Sequence, residues 1–124
     1  MPTEPEPVTL AALARRAAEL VDPTDESADV ADFELQFEDA DAPARALLED
    51  TLDERVEEAV RRIDPEGDLP QIAMAAAIVR YLAHKPTEAS DDRGHVLRLA
   101  ARAEDHGDPP PVVSDWLVDQ GVSV

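Results

Sequence analysis

Histidine is the residue of this chain best suited to bind a transition metal, because cysteine is absent. The three histidines, His84, His95 and His106, are spaced by eleven residues. On one helix, His95 and His106 would lie about 16 Å apart, whereas zinc–nitrogen bonds are about 2 Å long. His84 and His95 can instead meet across a turn between two helices, where Asp91 or Asp92 would add a carboxylate. These two histidines are candidate ligands, and the alternative, which predicts no bound metal, is that both are ordinary surface residues.

Carboxylates on neighbouring helix turns can bind magnesium or iron. Glu54 and Glu57 form an E-x-x-E pair with Glu58 beside them, and Glu38 and Asp41 form an E-x-x-D pair. These pairs resemble the metal-binding motifs of all-helical nucleotide pyrophosphohydrolases, which implies metal-dependent nucleotide hydrolysis by Glu54, Glu57 and Glu58. The alternative is a chance arrangement, since the chain contains 29 acidic residues.

Other signatures of catalysis are missing from the sequence. The absence of cysteine excludes disulfides, thiolate metal sites and cysteine nucleophiles. The four glycines stand singly, so there is no phosphate-binding glycine loop, and no serine lies in a G-x-S-x-G motif. Because no constellation meets the geometric requirements of catalysis, we predict no catalytic residue and no cofactor, and we expect a protein that is not an enzyme.

The charge balance is the strongest signal in the composition. The 29 acidic residues outnumber 11 basic ones, which gives a formal net charge of -18. Such self-repulsion opposes a compact state in dilute buffer but is screened at 1 M salt, where the Debye length is about 3 Å. With abundant Asp and Ala and with Lys85 as its only lysine, the chain resembles the cytoplasmic proteins of salt-loving archaea. The resemblance implies a halophilic protein of the cytoplasm.

The N-terminal residues MPTEPEPVTL have neither a basic start nor an apolar run, and no stretch approaches the roughly 18 apolar residues that span a bilayer. We therefore expect no membrane association. The negative charge also disfavours nucleic acid as a partner.

Five residues are candidate contacts for a protein partner. Arg98 and Arg102 lie one helical turn apart, and the alternative to partner binding is that they pair with the protein's own acids. Trp116 is the only tryptophan and can either anchor a partner or pack on the core. Phe33 and Phe37 add apolar surface to a very acidic segment, which favours a homodimer.

Helical spacing of apolar residues indicates the elements that must position these side chains. The first helix spans residues 10–21 with Thr9 as its N-cap. A helix over 71–85, with Asp68 as its N-cap, is apolar on nearly all sides and is therefore predicted at the centre. Three further helices are predicted at about 43–63, about 91–106 and between Asp108 and Gly121. Residues 1–7 are predicted to form a disordered tail, and 8–124 a single helical domain.

The segment ADFELQFEDADAP, residues 31–43, fits two structures. Phe33, Leu35 and Phe37 alternate as in a strand, whereas Val30, Phe33 and Phe37 share one face of a helix. Its acidic composition favours the helix. We expect an all-α bundle of four or five helices. A short extended segment near 33–37 is the alternative to a helix at that place.

Three functions are compatible with these features. The first is a non-catalytic, self-associating interaction or assembly protein of a halophilic cytoplasm, which we favour because no catalytic constellation is found. The second is the metal-dependent nucleotide hydrolase described above. The third is an acidic decoy that binds a basic partner.

Overall fold

A computed structural model describes residues 9–38, 49–85, 88, 91–105 and 110–122. Within these residues the chain forms six α-helices, which confirms the all-α prediction. They are α1 (Leu10–Val21), α2 (Ala28–Leu35), α3 (Glu49–Ile63), α4 (Pro70–His84), α5 (Arg93–Asp105) and α6 (Pro111–Asp119). The number exceeds the predicted four or five because residues 28–35 form a helix of their own. The predicted tail, the predicted helical residues 43–48 and His106 lie outside the described residues.

The helix α4 is the centre of the bundle, as its apolar composition predicts. It packs against α1, α2, α3, α5 and α6. Ile72, Ile78, Val79 and Leu82 are fully buried, and the alanines at 75–77 are buried with them. A helix with apolar side chains on every face gains most from burial on every face, and small alanines let neighbouring helices approach closely.

The first helix begins where the sequence predicts. The Thr9 hydroxyl accepts a hydrogen bond from the backbone N–H of Ala12 at 3.1 Å, which satisfies one of the free donors at the helix start. Leu13, Ala14 and Ala17 then form a buried stripe along α1.

The acidic segment after α1 is helical as far as Leu35 and continues as a turn. Phe33 and Phe37 are fully buried and their ring centroids lie 5.1 Å apart. Leu35, which the strand alternative would place beside them, is 57% exposed. Helical spacing therefore decides the conformation, because it puts Val30 and both phenylalanines on one face and the acids outside.

The N-cap predicted at Asp68 is wrong. The N-cap position of α4 is Leu69, which forms no side-chain capping bond. The backbone N–H groups of Asp68 and Leu69 instead donate to the carboxylate of Asp64, which is buried at the end of α3. The carboxylate of Asp64, six residues ahead of α4, thus binds the loop that leads into the helix and not the first turn of the helix itself.

None of the helices in the described part of the chain is long and apolar enough to cross a bilayer.

Candidate functional site

Glu88, Asp91 and His95 bring three metal-ligating side chains together between α4 and α5. The Nε2 atom of His95 lies 3.8 Å from Glu88 Oε1 and 3.8 Å from Asp91 Oδ2. One ligand atom from each residue lies within 4.8 Å of the other two. All three side chains are partly exposed, so a solvated ion can reach them.

The cluster is held by contacts with two neighbouring helices. The Tyr81 hydroxyl, on α4, donates a hydrogen bond to Glu88 Oε2 at 2.5 Å. The guanidinium of Arg16, on α1, donates to the backbone carbonyl of Asp91 at 3.3 Å. Asp91 also donates its backbone N–H to the carbonyl of Glu88 at 3.0 Å. The bonds from Tyr81 and Arg16 tie the segment before α5 to α4 and α1.

The pKa of the Tyr81 phenol reflects the burial and the negative charge of this region. Desolvation by burial, the hydrogen bond to Glu88 and the negative charges of Glu88 and Asp91 together raise the pKa of the Tyr81 phenol to about 12. The phenol is therefore a hydrogen-bond donor to Glu88 over the whole physiological pH range.

The sequence prediction identified part of this cluster. His95 and Asp91 do approach each other, whereas His84 lies exposed and does not belong to the group of three. Asp92 takes another role, because its carboxylate accepts the backbone N–H of His95 at 3.3 Å. Glu88 was missed, although its spacing of seven residues from His95 is a signal that a search over E-x-x-D-x-x-x-H would find.

The acids of α3 are arranged differently. Glu54, Glu57 and Glu58 are exposed on this helix, and Glu58 forms an ion pair with Arg62 at 2.6 Å. Among the described side chains, they do not join a group of three ligands close enough to share an ion. The helix that faces them, α4, carries no acidic residue.

A groove of about 320 Å³ lies between α3 and α4. Val60, Ala73 and Ala76 form its apolar floor. Its rim consists of Glu57, Arg61 and Arg80.

The rim residues of this groove differ in their ion pairs. Arg80 contacts Asp53 at 3.2 Å and Glu104 at 2.7 Å, and so connects α3, α4 and α5. Glu57 and Arg61 lie four residues apart on α3, a spacing that allows an ion pair along a helix. Neither has an ion-pair partner within the described part of the chain.

The remaining partner-binding candidates are distributed over the bundle. Phe33 and Phe37 are fully buried in the protein's own core, so neither ring is accessible to a partner in this conformation. Trp116 is partly buried and packs against that core. Arg98 and Arg102 are exposed, and neither forms an ion pair with another described residue.

The chain matches no protein family model, no curated protein and no solved structure.

Proposed function

We propose that the protein is a non-catalytic assembly protein that works as a homodimer, and that two copies meet at the groove between α3 and α4. The observation that carries this proposal is the apolar floor of Val60, Ala73 and Ala76 beside two ionic side chains, Glu57 and Arg61, that have no partner in the described chain. Apolar surface at the centre and charges at the edge are the usual anatomy of a protein–protein interface.

Charge favours a second copy of the same chain as the occupant of the groove. In a protein with a net charge of -18, most surfaces would repel another copy. The groove is lined by one acid, Glu57, and two cations, Arg61 and Arg80, so it does not concentrate negative charge. In a two-fold dimer, each interface patch contacts its own equivalent. Glu57 of one copy can therefore pair with Arg61 of the other, and the reverse.

High salt supports association at this surface. Screening at molar potassium chloride removes the long-range repulsion between two acidic copies, while apolar contacts persist. The proposed setting is accordingly the salty cytoplasm that the composition suggests.

The proposal is tested by the molecular mass in solution. Light scattering coupled to gel filtration in 2 M potassium chloride should show a dimer of the full chain. Ala73→Glu places a charge in the groove at a half-buried helical position and should give a monomer that is still folded by circular dichroism. Val118→Glu makes the same charge change at a 69% exposed position on α6 and should leave the dimer intact. A wild-type monomer at high micromolar concentration would overturn the proposal.

Charge swapping identifies the contacts. Glu57→Arg and Arg61→Glu should each weaken the dimer about tenfold at moderate salt, and the double variant should recover most of the loss, because pairs across a two-fold axis are restored. The matched control swaps Glu58 and Arg62, which already pair within one chain at 2.6 Å. Its dissociation constant should stay within threefold of wild type. Loss of the dimer in this control and not at Glu57 or Arg61 would place the interface elsewhere.

A further inference from the structure

We propose that Glu88, Asp91 and His95 form a binding site for zinc. The donor set is one imidazole nitrogen and two carboxylate oxygens. Imidazole favours zinc and other late first-row metals, whereas magnesium and calcium prefer oxygen ligands only. This inference does not depend on the dimer proposed above, since the cluster lies between α4 and α5 and the groove between α3 and α4.

The distances suit an ion with short bonds. Ligands that bind zinc at 2.0–2.2 Å in a tetrahedral arrangement lie about 3.4 Å from each other. The Nε2 atom of His95 lies 3.8 Å from an oxygen of Glu88 and 3.8 Å from an oxygen of Asp91. All three ligand atoms lie within 4.8 Å of one another, so side-chain rotations that draw them closer together would bring them to bonding distance of a common ion.

One of the ligands is already oriented by a neighbouring residue. Tyr81 donates to Oε2 of Glu88, and Oε1 of the same carboxylate is the atom that faces His95. Partners that hydrogen-bond to ligating carboxylates in this way fix their orientation and raise metal affinity. Tyr81 is thus a positioning residue for the site, while Glu88, Asp91 and His95 are its ligands.

The site leaves coordination positions open. Three protein ligands occupy only part of the coordination sphere of zinc. His95 also lines a cavity of about 380 Å³, together with Asp92, Gly94, Arg98 and Gly121. The exposed side chains of Arg98 and Asp92 give this cavity one positive and one negative charge, and water that fills it lies beside His95.

The experiment is a titration of the full chain with zinc chloride by isothermal calorimetry at constant ionic strength. The expected result is saturable binding of one ion per chain with a micromolar dissociation constant, and at least 100-fold weaker binding of magnesium. Cobalt should bind at the same stoichiometry and develop the visible absorption of a site with fewer than six ligands. Absence of saturable zinc binding, or equal affinity for magnesium, would overturn the proposal.

Variants separate this site from general attraction of cations to an acidic protein. His95→Gln and Glu88→Gln should each weaken zinc binding at least tenfold, while Tyr81→Phe should weaken it less and keep the stoichiometry. His84→Gln removes an exposed histidine outside the cluster, and Glu66→Gln removes an exposed acid. Both controls should bind like wild type. Folding of every variant is checked by circular dichroism, and unchanged affinity in folded His95→Gln would place the zinc elsewhere.

Discussion

Asp22 and Asp64 occupy equivalent positions at two helix junctions. Each follows a helix, precedes a proline and is buried, with an exposed fraction of 8% for Asp22 and 6% for Asp64. Each carboxylate accepts two backbone N–H groups, those of the residues four and five positions later, at 2.8–3.1 Å. The same pair of hydrogen bonds to a buried carboxylate therefore stabilises the loop between α1 and α2 and the loop between α3 and α4.

Removing either carboxylate should destabilise the protein. Asp64→Ala leaves the N–H groups of Asp68 and Leu69 without their acceptor, and we expect a loss of about 1–2 kcal/mol in the free energy of unfolding. The matched control is Asp68→Ala, an exposed position, which should change stability by less than about 0.5 kcal/mol. Urea unfolding in molar potassium chloride measures both. If Asp68→Ala lowered the free energy of unfolding more than Asp64→Ala, Asp68 would be the more important acceptor, as the sequence predicted.

The two junctions also share a left-handed residue. Asp25 has φ 55° and Gly67 has φ 70°, each three positions after the buried aspartate. Gly67→Ala should destabilise the protein by about 1 kcal/mol, because only glycine adopts this conformation freely. A Cβ at this position would meet no atom within 4 Å, so the loss would reflect backbone strain alone. Asp25→Gly should be neutral or stabilising. If Asp25→Gly lowered the midpoint of unfolding more than Gly67→Ala does, the shared left-handed geometry would be contradicted.

The largest loss of stability is expected when a charge is placed in the buried central helix α4. Ile78 has an exposed fraction of 0%, and Ile78→Asp would place an unpaired charge in the core. We expect a loss of more than about 4 kcal/mol, enough to unfold the domain. Val118→Asp, at a 69% exposed position, should melt close to the wild type. If Ile78→Asp melts within a degree or two of the wild type, the packing around α4 is wrong.

The folded and unfolded chains should differ in how Tyr81 titrates. The phenol has a pKa of about 12 in the folded protein and 10.0 when unperturbed, so between these values only the folded chain retains the proton. Stability due to Tyr81 is therefore complete below pH 10 and lost as the pH rises towards 12. Because Tyr81 is the only tyrosine, ultraviolet absorbance of its phenolate measures this site alone.

Glu88→Gln provides the control for this titration. It removes the negative charge and the strongest acceptor beside the phenol, so the midpoint should fall towards 10 while burial keeps it above that value. A wild-type midpoint near 10, measured while circular dichroism shows a folded chain, would contradict the hydrogen bond between Tyr81 and Glu88.

Local sequence signals predicted the helices well. The period of apolar residues located α1, and a stretch that is apolar on nearly all sides located α4. Thr9 was identified as a cap because its hydroxyl accepts from a residue only three positions away. The hydrogen bonds that Asp22 and Asp64 accept from the backbone four and five residues later were missed, since their geometry depends on the path of the whole loop.

The candidate site was predictable only where its residues are close in sequence. Asp91 was considered beside His95 because it belongs to the turn that was expected to bring His84 and His95 together. The contribution of Glu88 depends on the turn after α4, where Tyr81 holds its carboxylate. Likewise, no local pattern indicates that Arg93 reaches the carbonyl of Leu20 at 2.6 Å, because the two residues lie 73 positions apart.

The exposed acids on α2 and in the turn after it should make stability depend on salt. Asp32 lies on α2 and Glu38 in the turn, and both are exposed. Two arginines of other helices lie beside this segment: Arg15 is 3.8 Å from Glu34, and Arg55 is 5.7 Å from the centroid of the Phe37 ring. In dilute buffer this compensation is incomplete, because the chain carries a net charge of -18. The midpoint of thermal unfolding should therefore rise smoothly with potassium chloride as screening increases.

Neutralising these acids should give part of the stabilisation that potassium chloride gives. The double variant Asp32→Asn with Glu38→Gln should melt higher than wild type at low salt and equal to it at 2 M potassium chloride. Glu58→Gln removes the same kind of charge from an acid that pairs with Arg62, and should bring no such gain. Magnesium or calcium at millimolar concentration and constant ionic strength should not raise the midpoint. If it does, and if the double variant abolishes that rise, the segment that carries Asp32 and Glu38 binds a divalent ion, and salt adaptation does not explain its charge.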